Sequence, residues 1–317
     1  MVVEEQVPLA PLTTLHIGGL ARFFVSVQTR EDLQNAIVYA RERSLPMFVL
    51  GGGSNVLVPD EGVAGLVLHL QIKGIEREEV GENVLLVAGA GESWDALVRT
   101  AVTKNLWGLE NLSGIPGSVG GAVVGNIGAY GQAVSQTCVW VEAYNTETGT
   151  IERFERLQCN FGYRESFFSS HQQYIVLRAA FLLSKTPAPD VSYKDLKELF
   201  GESVPTLQAI RDAVLNIRAS KFPDLSKEGS AGSFFKNPIL DKTLVQKITE
   251  KYPQMPVFSM PETDGVKVPL AWLLDNVLHM KGYREGGARL FEKQPLVVAA
   301  TRGCLAEDVE VLAKKVA

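Results

Sequence analysis

The sequence predicts an α+β protein of more than one domain, and three observations carry that prediction. Its 317 residues are enough to bury two or three cores. Near the N-terminus, apolar strand-like runs alternate with helical periodicity and twice end in glycines. The middle then turns strand-rich, and helices dominate again from about residue 204.

The elements follow in order. ARFFVSV at 21–27 reads as a strand, and Thr29 with Asp32 forms the signature of a capping box. Leu33, Ala36, Ile37 and Ala40 then share one helical face. PMFVL is a short buried strand that runs straight into Gly51-Gly52-Gly53-Ser54-Asn55. NVLLVAGAG at 83–91 repeats that logic, and a helix from Ser93 carries Trp94, Leu97, Val98, Ala101 and Val102 on its inner face. After the glycine-dense stretch 107–131 come three strands, TCVWVEAYNT, TIERFER and QYIVLRAAFLL, the first two flanking a Thr148-Gly149 turn. TPAPD at 186–190 reads as a loop. TLQAIRDAVLNIRAS places Leu207, Ile210, Val214 and Ile217 on one face, and Pro223 stops that helix. An apolar helix within 267–279, a strand at 295–301 and a helix bearing Leu305, Val309, Leu312 and Val316 complete the chain.

Composition excludes several classes. A hydrophobic fraction of 46% and a charged fraction of 21% are those of an ordinary globular protein. No run approaches the roughly 18 apolar residues of a membrane helix. The first twenty residues hold two acids and two prolines, unlike a secretory signal, so a cytoplasmic protein is expected. The net charge of −5 gives no basic field for nucleic acid. Cys138, Cys159 and Cys304 make neither a disulfide framework nor a zinc pattern, and the four histidines are scattered, so no metal is expected.

The glycines carry the chemistry. There is no GxxxxGK[ST], and GGGSN does not continue into GxGxxG with a helix behind it. Instead Gly114, Gly117 and Gly120 recur every three residues, followed by Gly121, Gly125, Gly128 and Gly131. Tight turns in a β-rich domain would use such glycines. A backbone nest for a pyrophosphate accounts for both loops together, including Asn55 and Asn126 within them. On these residues alone the ligand is any dinucleotide.

GGGSNVLV, GLENLSGIPGSVGGAVVGNIGAYG, CNFGYRES, GSAGSFFKNP and KGYREGGARL, in this order over nearly the whole chain, resemble the UDP-N-acetylenolpyruvoylglucosamine reductase (UDP-N-acetylmuramate dehydrogenase) family, in its longer tyrosine-loop subtype. The resemblance implies a vanillyl-alcohol-oxidase-type FAD-binding domain at 1–203, in lobes of about 1–76 and 77–203. A smaller α/β substrate-binding domain at 204–317 follows. It implies non-covalent FAD, with NADPH as co-substrate and a UDP-sugar as substrate, in a cytoplasmic monomer of peptidoglycan synthesis. FAD falls on Gly51, Gly52, Gly53, Ser54 and Asn55 and on Gly114, Ile115, Gly117, Gly120, Asn126 and Gly128. Arg164 matches the family's active-site arginine, and Ser233 the serine that protonates the substrate. Tyr163, Tyr193, Arg218, Lys221 and Asn237 match substrate contacts, with Lys236, Lys267, Gln294 and the GGARL segment as weaker ones. Relatives continue into a glutamate-bearing segment of the LEPEV type, whereas this sequence ends at Ala317. The expectation is therefore a chain cut short of that segment, or a shortened and impaired member that binds flavin or UDP-sugar. An oxidase of the same flavin fold is the remaining alternative.

Overall fold

The alternation expected at the N-terminus is present in a computed structural model, which describes residues 1–259 and 265–317. Contacts divide the chain into two units. The first comprises Met1–Leu12, Gly19–Ser54 and Glu61–Arg218; the second comprises Thr13–Gly18, Asn55–Asp60 and Ala219–Ala317.

In the first unit, β1 (Glu4–Pro8), β2 (Leu20–Val27), β3 (Met47–Leu50) and β4 (Val63–Leu70) form a sheet in the order β1-β2-β4-β3. β1 is antiparallel to β2, while β2 and β3 both run parallel to β4. Parallel strands need a crossover, and α1 (Arg30–Glu42) supplies one between β2 and β3. Thr29 Oγ1 accepts from the Asp32 amide and the Asp32 carboxylate accepts from the Thr29 amide, both at 3.0 Å. This reciprocal cap fixes where the helix begins. Leu33, Ala36, Ile37 and Ala40 pack into a core with Val25, Val27, Leu66 and Leu68.

A second sheet is wholly antiparallel. It comprises β5 (Ile75–Val80), β6 (Asn83–Gly89), β9 (Cys138–Asn145), β10 (Ile151–Glu155) and β11 (Tyr174–Ser184) in the order β10-β9-β11-β6-β5, with the small hairpin β7 (Gly128–Ala129) and β8 (Gln132–Ala133) apart from it. One face is covered by α2 (Trp94–Thr103) and by α3 (Val119–Val124), a short helix hidden inside the glycine segment. Trp94 is fully buried, meets Phe181 edge-on at 5.7 Å, and donates its indole N–H to Leu112 O at 3.0 Å. Satisfying the indole lets so large an apolar body be buried without an orphaned donor.

The helices α4 (Phe167–Ser170), α5 (Lys194–Phe200) and α6 (Leu207–Lys221) follow. α6 lies beyond residue 204, where the sequence suggested a new domain. Through Arg218 it nevertheless belongs to the first unit, because Leu207, Ile210 and Val214 are buried in that unit's core.

In the second unit, β12 (Gly229–Ser233), β16 (Arg284–Glu285), β17 (Ala288–Phe291) and β18 (Gln294–Ala300) form an antiparallel sheet in the order β12-β18-β17-β16. A smaller sheet, β13 (Ile239–Leu240), β15 (Val266–Lys267) and β14 (Phe258–Ser259), lies with α7 (Lys242–Lys251) and α8 (Leu270–Asn276), and α9 (Ala306–Val316) ends the chain. The core joins Leu15 and Ile17 to Leu274, Leu290, Val298, Val309 and Leu312. Ser230 N donates to Thr14 O at 2.7 Å, and a side chain at Gly229 would collide with Leu15 O. Leu305, expected on the apolar face of the last helix, is instead its half-exposed N-cap, and Ala306 takes the buried position.

Candidate active site

The two glycine loops interlock within the first unit. A Cβ on Gly52 would lie 2.6 Å from Gly117 Cα, and one on Gly51 would lie 2.6 Å from Ser118 Oγ. Gly117 in turn faces the Ser54 hydroxyl. Glycine here permits close approach of two backbones, which any side chain would prevent. Not every amide in the loops is free. Gly52 N donates to Ser118 Oγ at 3.3 Å, Gly114 N to Asp95 Oδ1 at 2.6 Å, and Gly120 N to Ala90 O at 2.8 Å. Gly120 thus serves helix-to-strand packing, with Ala90 Cβ 2.9 Å from its missing side chain. Among the described residues, the amides of Gly53, Ser54, Ile115 and Gly117 donate to no protein acceptor. Gly53 is buried and left-handed at φ 61°. A buried N–H without an acceptor calls for one from outside the protein, and phosphate oxygens suit a row of them. The nest therefore fits a diphosphate. Asn55, expected beside it, is counted with the second unit.

Further along the glycine segment, Asn126 spends both ends of its amide on backbone. Nδ2 donates to Gly162 O at 2.8 Å and Oδ1 accepts from Ser135 N at 3.0 Å. Ser166 Oγ donates to Val124 O at 2.8 Å. These bonds pin the loop carrying Tyr163 and Arg164 against the C-terminal end of α3. Arg164 itself is left-handed at φ 60°, donates from Nη2 to Gly128 O, and lies over the Tyr163 ring at 5.5 Å. A Cβ on Gly128 would stand 2.7 Å from Arg164 Nη1. Desolvation lowers the Arg164 pKa from the ordinary arginine value, yet the residue is exposed by surface area and stays a cation. Strained backbone held at one cation by a built loop is a mark of a working site.

A second polar cluster gathers around Tyr130, which with Asn111 and Glu110 carries no signal in the sequence and joins the expected Tyr193 and Arg218. Tyr193 meets its ring edge-on at 5.4 Å. Burial pushes the Tyr130 hydroxyl up to about 12, with Arg218 opposing the shift. Arg218 donates from Nε to Gly114 O at 3.0 Å, and desolvation lowers its pKa. Asn111, fully buried, donates to both Tyr130 O at 2.7 Å and Asp190 O at 2.9 Å, tying the tyrosine segment to the loop that carries Tyr193. Burial also raises the pKa of Glu110 next to it.

In the second unit, Ser233 closes β12 at a bulge. Ser230 pairs with Ala299 and Ser233 with Val297, so Ala231 and left-handed Gly232 stand opposite Val298 alone. A bulge re-aims the side chain that follows it, and Ser233 is exposed. Asn237 Oδ1 accepts from Leu270 N at 3.0 Å and so caps α8. Lys221, half-buried, is the last residue of α6. GGARL is occupied by the fold: Gly287 N donates to Asp308 at 3.0 Å, and buried Arg289 pairs with Glu228 and, at 2.9 Å, with Glu292. Among the described residues no helix is long and apolar enough to cross a membrane, and no three His, Cys, Asp or Glu side chains are grouped to hold a metal.

A family described as an FAD binding domain matches residues 21–155, the stretch that contains both glycine loops. Fold, nest and this match define the class: an FAD-containing oxidoreductase with an α+β, two-sheet flavin domain. A second family, described as UDP-N-acetylenolpyruvoylglucosamine reductase, C-terminal domain, matches residues 224–317. The UDP-N-acetylenolpyruvoylglucosamine reductase of Pseudomonas putida is 37% identical over 99% of this chain and 93% of its own length. That of Salmonella typhi is 38% identical over 97% and 90%. The crystal structure of UDP-N-acetylenolpyruvylglucosamine reductase from Thermus caldophilus matches with a TM-score of 0.70 at 28% identity, over 100% of this chain and 94% of that one. The chain belongs to the UDP-N-acetylenolpyruvoylglucosamine reductase family.

Proposed function

We propose that this protein reduces UDP-N-acetyl-3-O-(1-carboxyvinyl)-glucosamine to UDP-N-acetylmuramate in the cytoplasmic stage of peptidoglycan synthesis, with NADPH as electron source. The observation that supports it most is Arg164, a cation fixed by Gly128 and by the Asn126-pinned loop to the same glycine segment that builds half of the diphosphate nest. FAD, which the amides of the two glycine loops would hold, would supply the redox chemistry, the passage of a hydride from NADPH to C3 of the enolpyruvyl group.

The chain's own residues do the rest. Amides of Gly53, Ser54, Ile115 and Gly117 would hold the cofactor diphosphate. Arg164 pairs with the substrate carboxylate, where a fixed guanidinium stabilises the negative charge that develops as hydride arrives. Tyr163 lies beside that guanidinium and limits its movement. The Ser233 hydroxyl donates the proton to C2; a positioned donor of this kind contributes about 10² to 10⁴ in rate. Tyr193, Arg218, Lys221 and Asn237 bind the UDP-sugar.

Anaerobic two-step stopped flow tests the reading. NADPH should bleach the flavin of the wild-type protein, and the enolpyruvyl sugar nucleotide should restore it. In Ser233→Ala, bleaching should persist while reoxidation slows by at least about 10². Normal reoxidation in that variant removes Ser233 from the reaction. A wild-type flavin that the sugar never reoxidises, or that consumes oxygen with NADPH alone, overturns the proposed function.

A further inference from the structure

Gly114 is gripped on both sides. Its amide donates to Asp95 Oδ1 at 2.6 Å, and its carbonyl accepts from Arg218 Nε at 3.0 Å. Asp95, in the first turn of α2, is itself held by the fork of Arg211, with Nη1 to Oδ1 and Nη2 to Oδ2 both at 2.8 Å. Only 9% of the Arg211 side chain and 32% of that of Asp95 are exposed. Arg211 and Arg218 are seven residues apart on α6, close to two turns, so they share a face. One helix therefore holds this glycine twice, directly through Arg218 and indirectly through Asp95.

The second grip has a geometric consequence. In a trans peptide the carbonyl and the next N–H point in opposite directions. Holding Gly114 C=O on Arg218 aims Ile115 N–H the other way, and among the described residues that N–H has no protein acceptor. Gly114 is left-handed at φ 69°, and a Cβ there would lie 2.6 Å from Leu215 Cδ2, so the loop has little freedom to adjust by itself. A partly buried ion pair is weak evidence of a role in stability. Here the carboxylate's bond to a loop amide gives the pair another use.

We propose that Asp95 and Arg211 are positioning residues for the cofactor loop: they fix Gly114, and with it the direction of the Ile115 and Gly117 amides and the guanidinium of Arg218. This assignment rests on the proposed FAD site but not on the identity of the sugar substrate.

The test uses the full chain, deflavinated and titrated with FAD by fluorescence quenching, with hydrogen exchange followed at residues 113–118. Asp95→Ala removes both bonds of the carboxylate. Asp95→Asn keeps an acceptor for Gly114 N but cannot complete the ion pair, and serves if the alanine variant does not fold. We expect FAD to bind roughly ten- to a hundred-fold more weakly in Asp95→Ala and by a smaller factor in Asp95→Asn. Exchange at Ile115 and Gly117 should accelerate while β6 and β11 keep their protection. Arg211→Lys, which keeps the charge and loses the fork, should fall between wild type and Asp95→Ala. A lower melting temperature with unchanged FAD affinity and unchanged loop exchange overturns the proposal and leaves the pair purely structural. A wild-type chain that binds FAD but never turns over the sugar nucleotide overturns the proposed function and leaves the positioning role standing; one that binds no FAD overturns both.

Discussion

Replacing Gly52 by alanine isolates the contact between the two glycine loops. Gly52 needs no left-handed backbone, so a methyl group there acts only through the space it fills. Its Cβ would lie 2.6 Å from Gly117 Cα, 2.7 Å from Gly117 C and 2.9 Å from Ser118 N. All three are backbone atoms and cannot swing aside. Ordinary carbon contacts lie near 3.5–4.0 Å, so the loops must separate by about 1 Å. Overpacking of this kind costs about 1–3 kcal/mol. If that cost falls on the docked loop pair, FAD binds roughly 5- to 150-fold more weakly. Gly125→Ala is the matched control inside the same segment. Its nearest neighbours, Gly121 O at 3.5 Å and Ile127 Cγ2 at 4.0 Å, are at ordinary contact distance, and its φ is −86°. Fluorescence titration of the deflavinated protein should give weakened binding for Gly52→Ala and near wild-type binding for Gly125→Ala. Affinity within about two-fold of wild type for Gly52→Ala would refute the interlocking of the loops.

Other consequences concern a loop and a helix cap. Asn126→Asp keeps the acceptor for Ser135 N and tolerates φ 38°, but sets a carboxylate oxygen against Gly162 O in place of the donor. Loss of that bond, about 1–3 kcal/mol, should loosen the Arg164 loop and lower kcat by roughly ten-fold or more; an unchanged kcat would separate Asn126 from Arg164. Asp308 accepts from the Gly287 amide at 3.0 Å and the Leu305 amide at 3.1 Å, bonds that hold its carboxyl below the usual value of 3.8. Because the folded pKa is depressed, the stabilisation is fully present above the unfolded value and is lost as pH falls through the lower, folded one. Asp308→Asn should therefore be less stable than wild type at neutral pH, with the gap closing in strong acid; urea denaturation across that range checks it, and a gap independent of pH would contradict it.

Local signals were legible and long-range ones were not. The Thr29 cap, the inner faces of α1 and α2, and the strands at 83–89 and 174–184 depend on neighbours a few residues apart, so periodicity and capping chemistry display them. The glycine loops were recognisable as a pair. Nothing in the sequence, however, reveals that Gly120 serves packing while Gly53 and Gly117 keep free amides, since that depends on which backbone lies opposite. Asn126 shows the same limit: an asparagine among glycines suggests a ligand contact, and only the fold discloses that its amide is consumed by Gly162 and Ser135. Asp95, Arg211, Asn111 and Tyr130 carry no local signal, because each acts across more than fifteen residues of chain. The boundary at 204 erred for a related reason, as the burial of Ile210 and Val214 depends on strands synthesised long before α6.

The second unit is sewn together from three stretches of chain, and this orders events during its synthesis. Leu15 and Ile17 emerge from the ribosome early, yet their core partners Leu290, Val298 and Leu312 are made more than about 270 residues later. At ordinary elongation rates the interval is roughly half a minute. Throughout it, the segments 13–18 and 55–60 lack the partners from 219–317 that complete their unit. The first unit has all its segments once residue 218 is made, whereas the second must wait for the segment that begins at residue 219. Its early apolar residues are thus a natural place for a chaperone to hold the chain, and a fragment beginning at residue 219 would lack part of its own core.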